Sequence, residues 1–213
     1  MTDTVANSGT LPNFHLTGDI KYRIQPLLVS RQYYNEKLSN LVSNDFLDLK
    51  VCYYISDDDG TLQLISNGLL NAQDIPADFI RSQALENIRS SQSYGIRNLE
   101  EVLIRMCATK MPYAPDLQSP LQIYILTNTK GFLGAAGLLL ENLLTDFAET
   151  IGNSFFILPS SIHEVLLVPE SGEMDIGTLS EMVCAVNKSH VIPQEVLSDH
   201  AYYYDRKTGQ IHV

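Results

Sequence analysis

Apolar positions along the chain alternate in some stretches and recur three or four apart in others, so strands and helices are predicted in turn. Residues 22–29 read as a strand, and 33–41 as a short helix with Tyr34, Leu38 and Leu41 on one side. Residues 46–56 are rich in β-branched and aromatic types, 61–66 alternate, and Asp57-Asp58-Asp59-Gly60 between them has the turn chemistry of a hairpin. Pro76 opens a helix in which Phe79, Ile80, Ala84, Leu85 and Ile88 recur at helical spacing to about Ser90. Asn98 caps a second helix with Glu101 in a capping box; Leu99, Val102, Leu103 and Met106 are its apolar stripe, and it ends before Pro112. Residues 121–127 read as a buried strand. Residues 132–151 read as the longest helix, whose wide apolar stripe marks it as the central core helix. Two short strands, 155–158 and 164–168, flank Pro159-Ser160-Ser161; Thr178 caps a helix to about Val186; 201–205 and 210–213 form a last hairpin around Lys207-Thr208-Gly209. Tyr53-Tyr54 and Tyr202-Tyr203-Tyr204 read as strand residues alternating between core and surface.

Strands and helices are mixed without strict βαβ alternation, so the fold class is α+β: a mixed, mainly antiparallel sheet against a long apolar central helix and several shorter ones. No Pro/Gly/Ser-rich linker divides the interior, which favours one domain over residues 19–213. Residues 1–18 mix Thr, Asn, Ser, Gly and Pro with few apolar anchors and read as a flexible leader.

Composition sharpens this. With 45% hydrophobic and 18% charged residues in 213, the chain buries a sizeable core. Cys52, Cys107 and Cys184 are odd in number, widely spaced and set among apolar residues, which reads as buried free thiols in a reducing, cytoplasmic setting. No signal-peptide pattern opens the sequence, and the apolar run 131–140 gives way to Glu141, Asn142 and Asp146 before it is long enough to span a bilayer, so no membrane partner is expected. A formal charge of −11 repels a phosphate backbone, and no Lys/Arg cluster offsets it, so ordinary nucleic-acid binding is not expected.

Candidate chemistry concentrates at Ser160, Ser161, His163 and Glu164, where hydroxyl, imidazole and carboxylate lie within five residues. Adjacent positions on a strand face opposite sides, however, and the zinc pattern H-E-x-x-H fails at Leu167. The structural reading has the serines bonding turn backbone and His163 or Glu164 holding a loop. Leu197-Ser198-Asp199-His200 brings a second acid and imidazole, which meet the first segment if the last hairpin pairs with the central sheet; otherwise Ser198 or Asp199 caps a turn. Asp57-Asp58-Asp59-Gly60 lacks the ligand spacing and terminal Glu of a calcium loop. Gly131, Gly134 and Gly137 follow a strand, where a phosphate would rest on free amides, but three-residue spacing suits close packing of helix on strand better. No metal or cofactor is expected from these patterns.

Phe46-Leu47-Asp48-Leu49, Ala84-Leu85-Glu86-Asn87, Gly134-Ala135-Ala136 with Leu139-Leu140, the block from Phe156 to Glu164 and Leu197-Ser198-Asp199 before a Tyr-rich strand together resemble a family of uncharacterised bacterial proteins. The resemblance covers roughly 22–205. It implies a cytoplasmic protein of anaerobic Gram-positive bacteria, often encoded near mobile elements, with no transferable catalytic residues. Family members are usually longer at the N-terminus, which would make this chain the C-terminal part of a longer protein. Three functions compete: a non-catalytic binding or regulatory domain with an acidic surface suited to a basic protein partner; a hydrolase-like enzyme using Ser160 or Ser161 with His163, Glu164 and Asp199; and an anti-defence or DNA-mimic protein. The first is favoured, because no catalytic or cofactor motif is complete.

Overall fold

Pro26 has no N–H to give a neighbouring strand, which assigns the strand that holds it to a sheet edge. The computed structural model, which describes residues 16, 18–32, 38–56, 60–108, 122–159 and 161–213 (side chains of 105–108 excepted), shows this arrangement. Two compact units, Met1–Gln92 and Ser93–Val213, make up the chain.

In the first unit β1 (Ile24–Ser30) lies beside β3 (Leu49–Ser56) with Pro26 opposite Tyr53. β2 (Ser43–Phe46) pairs the other side of β3, and β4 (Leu62–Leu64) also joins β3; every pairing is antiparallel. The β3–β4 hairpin is the one the alternation predicts, with Tyr54 opposite Leu64; residues 57–59 of its turn lie outside the described residues. The stretch 46–56 is not one strand. Phe46 pairs with Leu49 across a two-residue turn in which Leu47 takes φ 54°, a conformation that Gly or Asn normally signals and that nothing in Leu47-Asp48 announces. The helix expected at 33–41 falls largely on 33–37, outside the described residues.

A short helix the periodicity missed, α1 (Asn67–Gln73), is capped by Ser66, whose Oγ accepts the Leu69 N–H at 3.2 Å. α2 (Ala77–Ser90) follows Pro76 as expected and buries Ile80, Ala84 and Ile88, one turn apart. Asn87 is buried on the same face. Its Nδ2 donates to the Lys21 and Ile24 carbonyls at 2.7 and 2.8 Å and its Oδ1 accepts from Gln83 Nε2 at 2.9 Å, so the amide ties the 3-10 helix Gly18–Arg23 and the start of β1 to α2. Leu16, inside the stretch read as leader, is fully buried, and its N–H donates to Gln73 Oε1 at 2.8 Å.

The second unit is a six-stranded antiparallel sheet in the order β10 (Gln210–His212), β9 (Tyr202–Asp205), β7 (Phe155–Leu158), β8 (Val165–Pro169), β6 (Tyr124–Asn128), β5 (Tyr94–Asn98). Asn98 caps α3 (Leu99–Ala108), its Oδ1 accepting the Glu100 and Glu101 N–H groups at 2.8 and 3.4 Å, and the last hairpin forms as predicted. All four residues of β7 are buried, the continuous apolar run of a strand covered on both faces. Phe155 stacks on Tyr204 at 4.7 Å and meets Phe147 edge-on at 5.0 Å, which brings α4 (Glu141–Ile151) onto one face. Phe156, Leu158 and Val168 pack with Leu179 and Val183 of α5 (Ile176–His190) on the other. Tyr202 and Tyr204 are buried and Tyr203 half-buried, the alternation expected.

Two expectations are corrected here. The stretch 132–151 is not one long helix. Leu133 sits at φ 54°, Gly134–Leu139 winds as a 3-10 helix, Leu140 breaks it, and only then does α4 begin. A 3-10 helix eclipses positions three apart, which puts Gly134 and Gly137 together against β6: a Cβ on Gly134 would lie 2.3 Å from Thr127 Oγ1, and one on Gly137 2.4 Å from Leu126 Cδ2. The glycine spacing serves close approach. Nor is Thr178 the cap of α5. Asp175 is, accepting the Thr178 N–H at 2.8 Å, and the helix runs on to His190. Cys52 is buried, which pushes its thiol up to about 12; Cys184 is half-buried, and the Cys107 side chain lies outside the described residues.

Candidate functional site

Strand register gathers three loops at one end of the six-stranded sheet. Leu126 lies opposite Val165, Leu158 opposite Leu166 and Ile157 opposite Tyr202, so the loops 129–133, 159–164 and 191–201 emerge side by side. Backbone bonds knit them: Gly134 N and Ala135 N donate to the His163 and Ile162 carbonyls at 2.9 and 3.2 Å, Ile162 N to Glu195 O at 2.9 Å, and Ser198 N to Pro159 O at 3.2 Å. Thr127 Oγ1 adds a second donor to the His163 carbonyl at 2.9 Å. The loop after β6 is shaped from within by Asn128, whose Oδ1 accepts from Lys130 N at 3.0 Å and whose Nδ2 donates to Phe132 O at 2.8 Å.

His163 stands where the three loops meet. The Leu133 N–H donates to its Nδ1 at 3.2 Å, and Nε2 lies 3.4 Å from Glu195 Oε1. A ring nitrogen that accepts a backbone N–H carries no hydrogen, so in the neutral imidazole Nε2–H points to the carboxylate. The Phe132 ring lies over the imidazole with centroids 5.1 Å apart and is itself 41% exposed.

The other sequence candidates fare differently. Ser160 lies outside the described residues. Ser161 Oγ accepts the His163 N–H at 3.0 Å, the turn role the structural reading gave it. Glu164 is half-buried, and the carboxylate beside His163 is that of Glu195. The segment 197–200 does meet the first block, through Ser198 N and Pro159 O, as the hairpin pairing required. Asp199 is nonetheless turned to α5, its Oδ1 accepting from Asn187 Nδ2 at 3.0 Å, while Ser198 Oγ sits 3.1 Å from His200 Nδ1. The carboxylate that faces His163 is Glu195, thirty-two positions away, and no local pattern in Pro193-Gln194-Glu195 points to it. Phe132 was hidden by its reading as a helix residue.

The arrangement constrains the chemistry. Where a carboxylate orients a catalytic histidine, the opposite ring nitrogen takes the nucleophile's proton; here that nitrogen is engaged by the Leu133 N–H. The amides that would cradle a phosphate are also engaged, Gly131 N on Asn128 O and Gly134 N on His163 O. Among the described residues no three His, Cys, Asp or Glu side chains gather as metal ligands do.

A family model matches residues 3–206, nearly the whole chain and both units. The chain belongs to DUF5688, a family of unknown function. The DUF5688 match reaches further toward the N-terminus than the residues that carry the resemblance, and it takes in all three loops of the cluster. It assigns no activity. No curated protein and no solved structure matches the chain. No helix among the described residues is long and apolar enough to cross a membrane.

Proposed function

We propose that this DUF5688 chain is a non-catalytic binding module whose loop cluster presents Phe132 to a basic protein partner in the bacterial cytoplasm. The observation that carries the reading is the use of His163: one nitrogen holds the loop after β6, the other faces the loop after α5, and the ring supports an exposed phenylalanine. Loops fixed on a rigid scaffold are where recognition residues are commonly carried. Ile192, 57% exposed, lies in the same cluster, and Glu195 beside the ring adds negative charge to a chain of formal charge −11. An aromatic anchor with an acidic surround suits a partner that offers an apolar pocket rimmed by Lys or Arg. The free thiols Cys52 and Cys184 fit a reducing compartment.

The test is affinity capture with wild type and a Phe132→Ala variant shown by circular dichroism to be folded. A partner with a basic surface held by the first and lost by the second supports the reading. Turnover of ester or phosphoester substrates that disappears in Ser160→Ala, Ser161→Ala or His163→Gln would replace it with the hydrolase.

A further inference from the structure

The first unit contains a groove that the loop cluster does not explain. It is open, about 370 Å³ in volume, and lies among β2, β3, α1 and α2. A volume of this order accommodates a small ligand. Leu41, half-buried, gives it an apolar edge; Lys50 of β3 and Arg81 of α2 supply two cations; Ser43 and Asn67 add polar groups; and no Asp or Glu is among its described lining residues. In a chain with 25 acidic and 14 basic residues, a lining with two cations and no carboxylate is a local reversal of charge.

Both cations are placed but not fully used. Arg81 is held on the groove wall by its NH2 group donating to Ser43 O at 3.3 Å, which aligns the guanidinium across α2 and β2. Its other contact is Asp78 Oδ1 at 3.3 Å, and Lys50 Nζ lies 2.7 Å from Asp45 Oδ1. These carboxylates sit outside the groove, with Asp45 and Asp78 side chains 64% and 88% exposed, and such exposed pairs are weak and exchangeable. An incoming dianion competes with them on favourable terms, because it meets both cations at once. Ala77 at the start of α2 forms a further wall.

We propose that this groove binds a small organic phosphate monoester, with the phosphate between Lys50 and Arg81 and the organic group against Leu41. A phosphate offers three terminal oxygens to this set of donors, and its double charge answers two cations. Asp45 acts as the internal competitor that occupies Lys50 when the ligand is absent.

Calorimetric titration of the full chain with phenyl phosphate at constant ionic strength tests this, with phenol and inorganic phosphate as comparison probes. Saturable binding of phenyl phosphate is expected, weaker binding of inorganic phosphate, and none of phenol. Lys50→Met lowers the affinity about tenfold, the loss of one charge-assisted contact. Arg81→Gln does the same but also removes the bond to Ser43, so Asp45→Asn serves as the independent variant: freeing Lys50, it raises the affinity severalfold without touching the lining. No saturable binding of phenyl phosphate, phenol or inorganic phosphate binding as tightly as phenyl phosphate, or an affinity indifferent to both Lys50→Met and Asp45→Asn overturns the proposal.

Discussion

The groove of the first unit gathers Lys50 and Arg81 with no carboxylate among its described lining residues, whereas the loop cluster of the second sets His163 against Glu195 and spends its other ring nitrogen on the Leu133 N–H. In the groove the carboxylates that pair with the two cations are exposed and exchangeable. In the cluster the polar groups are consumed in holding loops together, and what is left to the surface is a phenylalanine. Polar side chains near a surface are therefore poor indicators of chemistry until their bonds are traced. The block from Ser160 to Glu164 is richer in catalytic residue types than the groove, yet Ser161 and His163 in it are committed to structure.

That contrast can be broken at several points. The largest effect is expected from Gly134→Ala. Its Cβ would meet Thr127 Oγ1 at 2.3 Å, His163 O at 2.6 Å and Asn128 N at 2.7 Å, two of them backbone atoms that cannot move away alone. A loss of about 3 kcal/mol or more in urea denaturation is expected, with partner capture lost as well. Asn87→Ala comes next. It strips the Lys21 and Ile24 carbonyls of their donor and should cost about 2–3 kcal/mol, with hydrogen exchange rising first around residues 18–30. Phe132→Ala separates stability from binding: a change within about 1 kcal/mol in stability but loss of the partner, since the ring is exposed and its main support is the imidazole beneath it.

The smallest effect is on acid stability. The Arg206 guanidinium holds the Glu149 carboxyl below its ordinary value of 4.5, and backbone N–H donors from Thr178 and Lys207 hold Asp175 and Asp205 below theirs of 3.8. A depressed folded value means stability that is present above the ordinary carboxylate range and lost as pH falls through the folded value. Among the described residues the second unit has three such groups and the first has one, Asp45, lowered chiefly by Lys50. Falling pH below about 4 should therefore loosen the second unit more than the first in residue-level hydrogen exchange. Added salt should shrink the difference, because Asp45, Glu149 and Asp175 are exposed.

Local signals were legible and long-range ones were not. The β3–β4 hairpin, the Asn98 cap, α2 after Pro76 and the last hairpin follow from turn residues, a cap and apolar spacing, all within a few positions of one another. The break between the 3-10 helix and α4 is invisible to that kind of reading, as is the close approach of β6 to Gly134 and Gly137. The β2–β3 turn escapes it because Leu47 carries none of the usual signals for positive φ. The candidate site divides the same way. His163 and the turn role of Ser161 were within reach of local patterns, while Glu195 and the Leu133 N–H reach the ring only through sheet register. The residues that carry the family resemblance fall at such junctures: the Leu47 turn, the Asn87 tie, the glycines on β6 and the His163 loop.

The account turns on the hydrogen of one ring, and a proton–nitrogen correlation spectrum of the histidine side chains reads it directly. With His163 as a loop tie, its neutral ring carries the hydrogen on Nε2, and Nδ1 shows the shift of an acceptor bonded to the Leu133 amide. A hydrogen found on Nδ1 would mean that the Leu133 bond does not exist and that His163 does not tie the loop after β6, which would contradict the account.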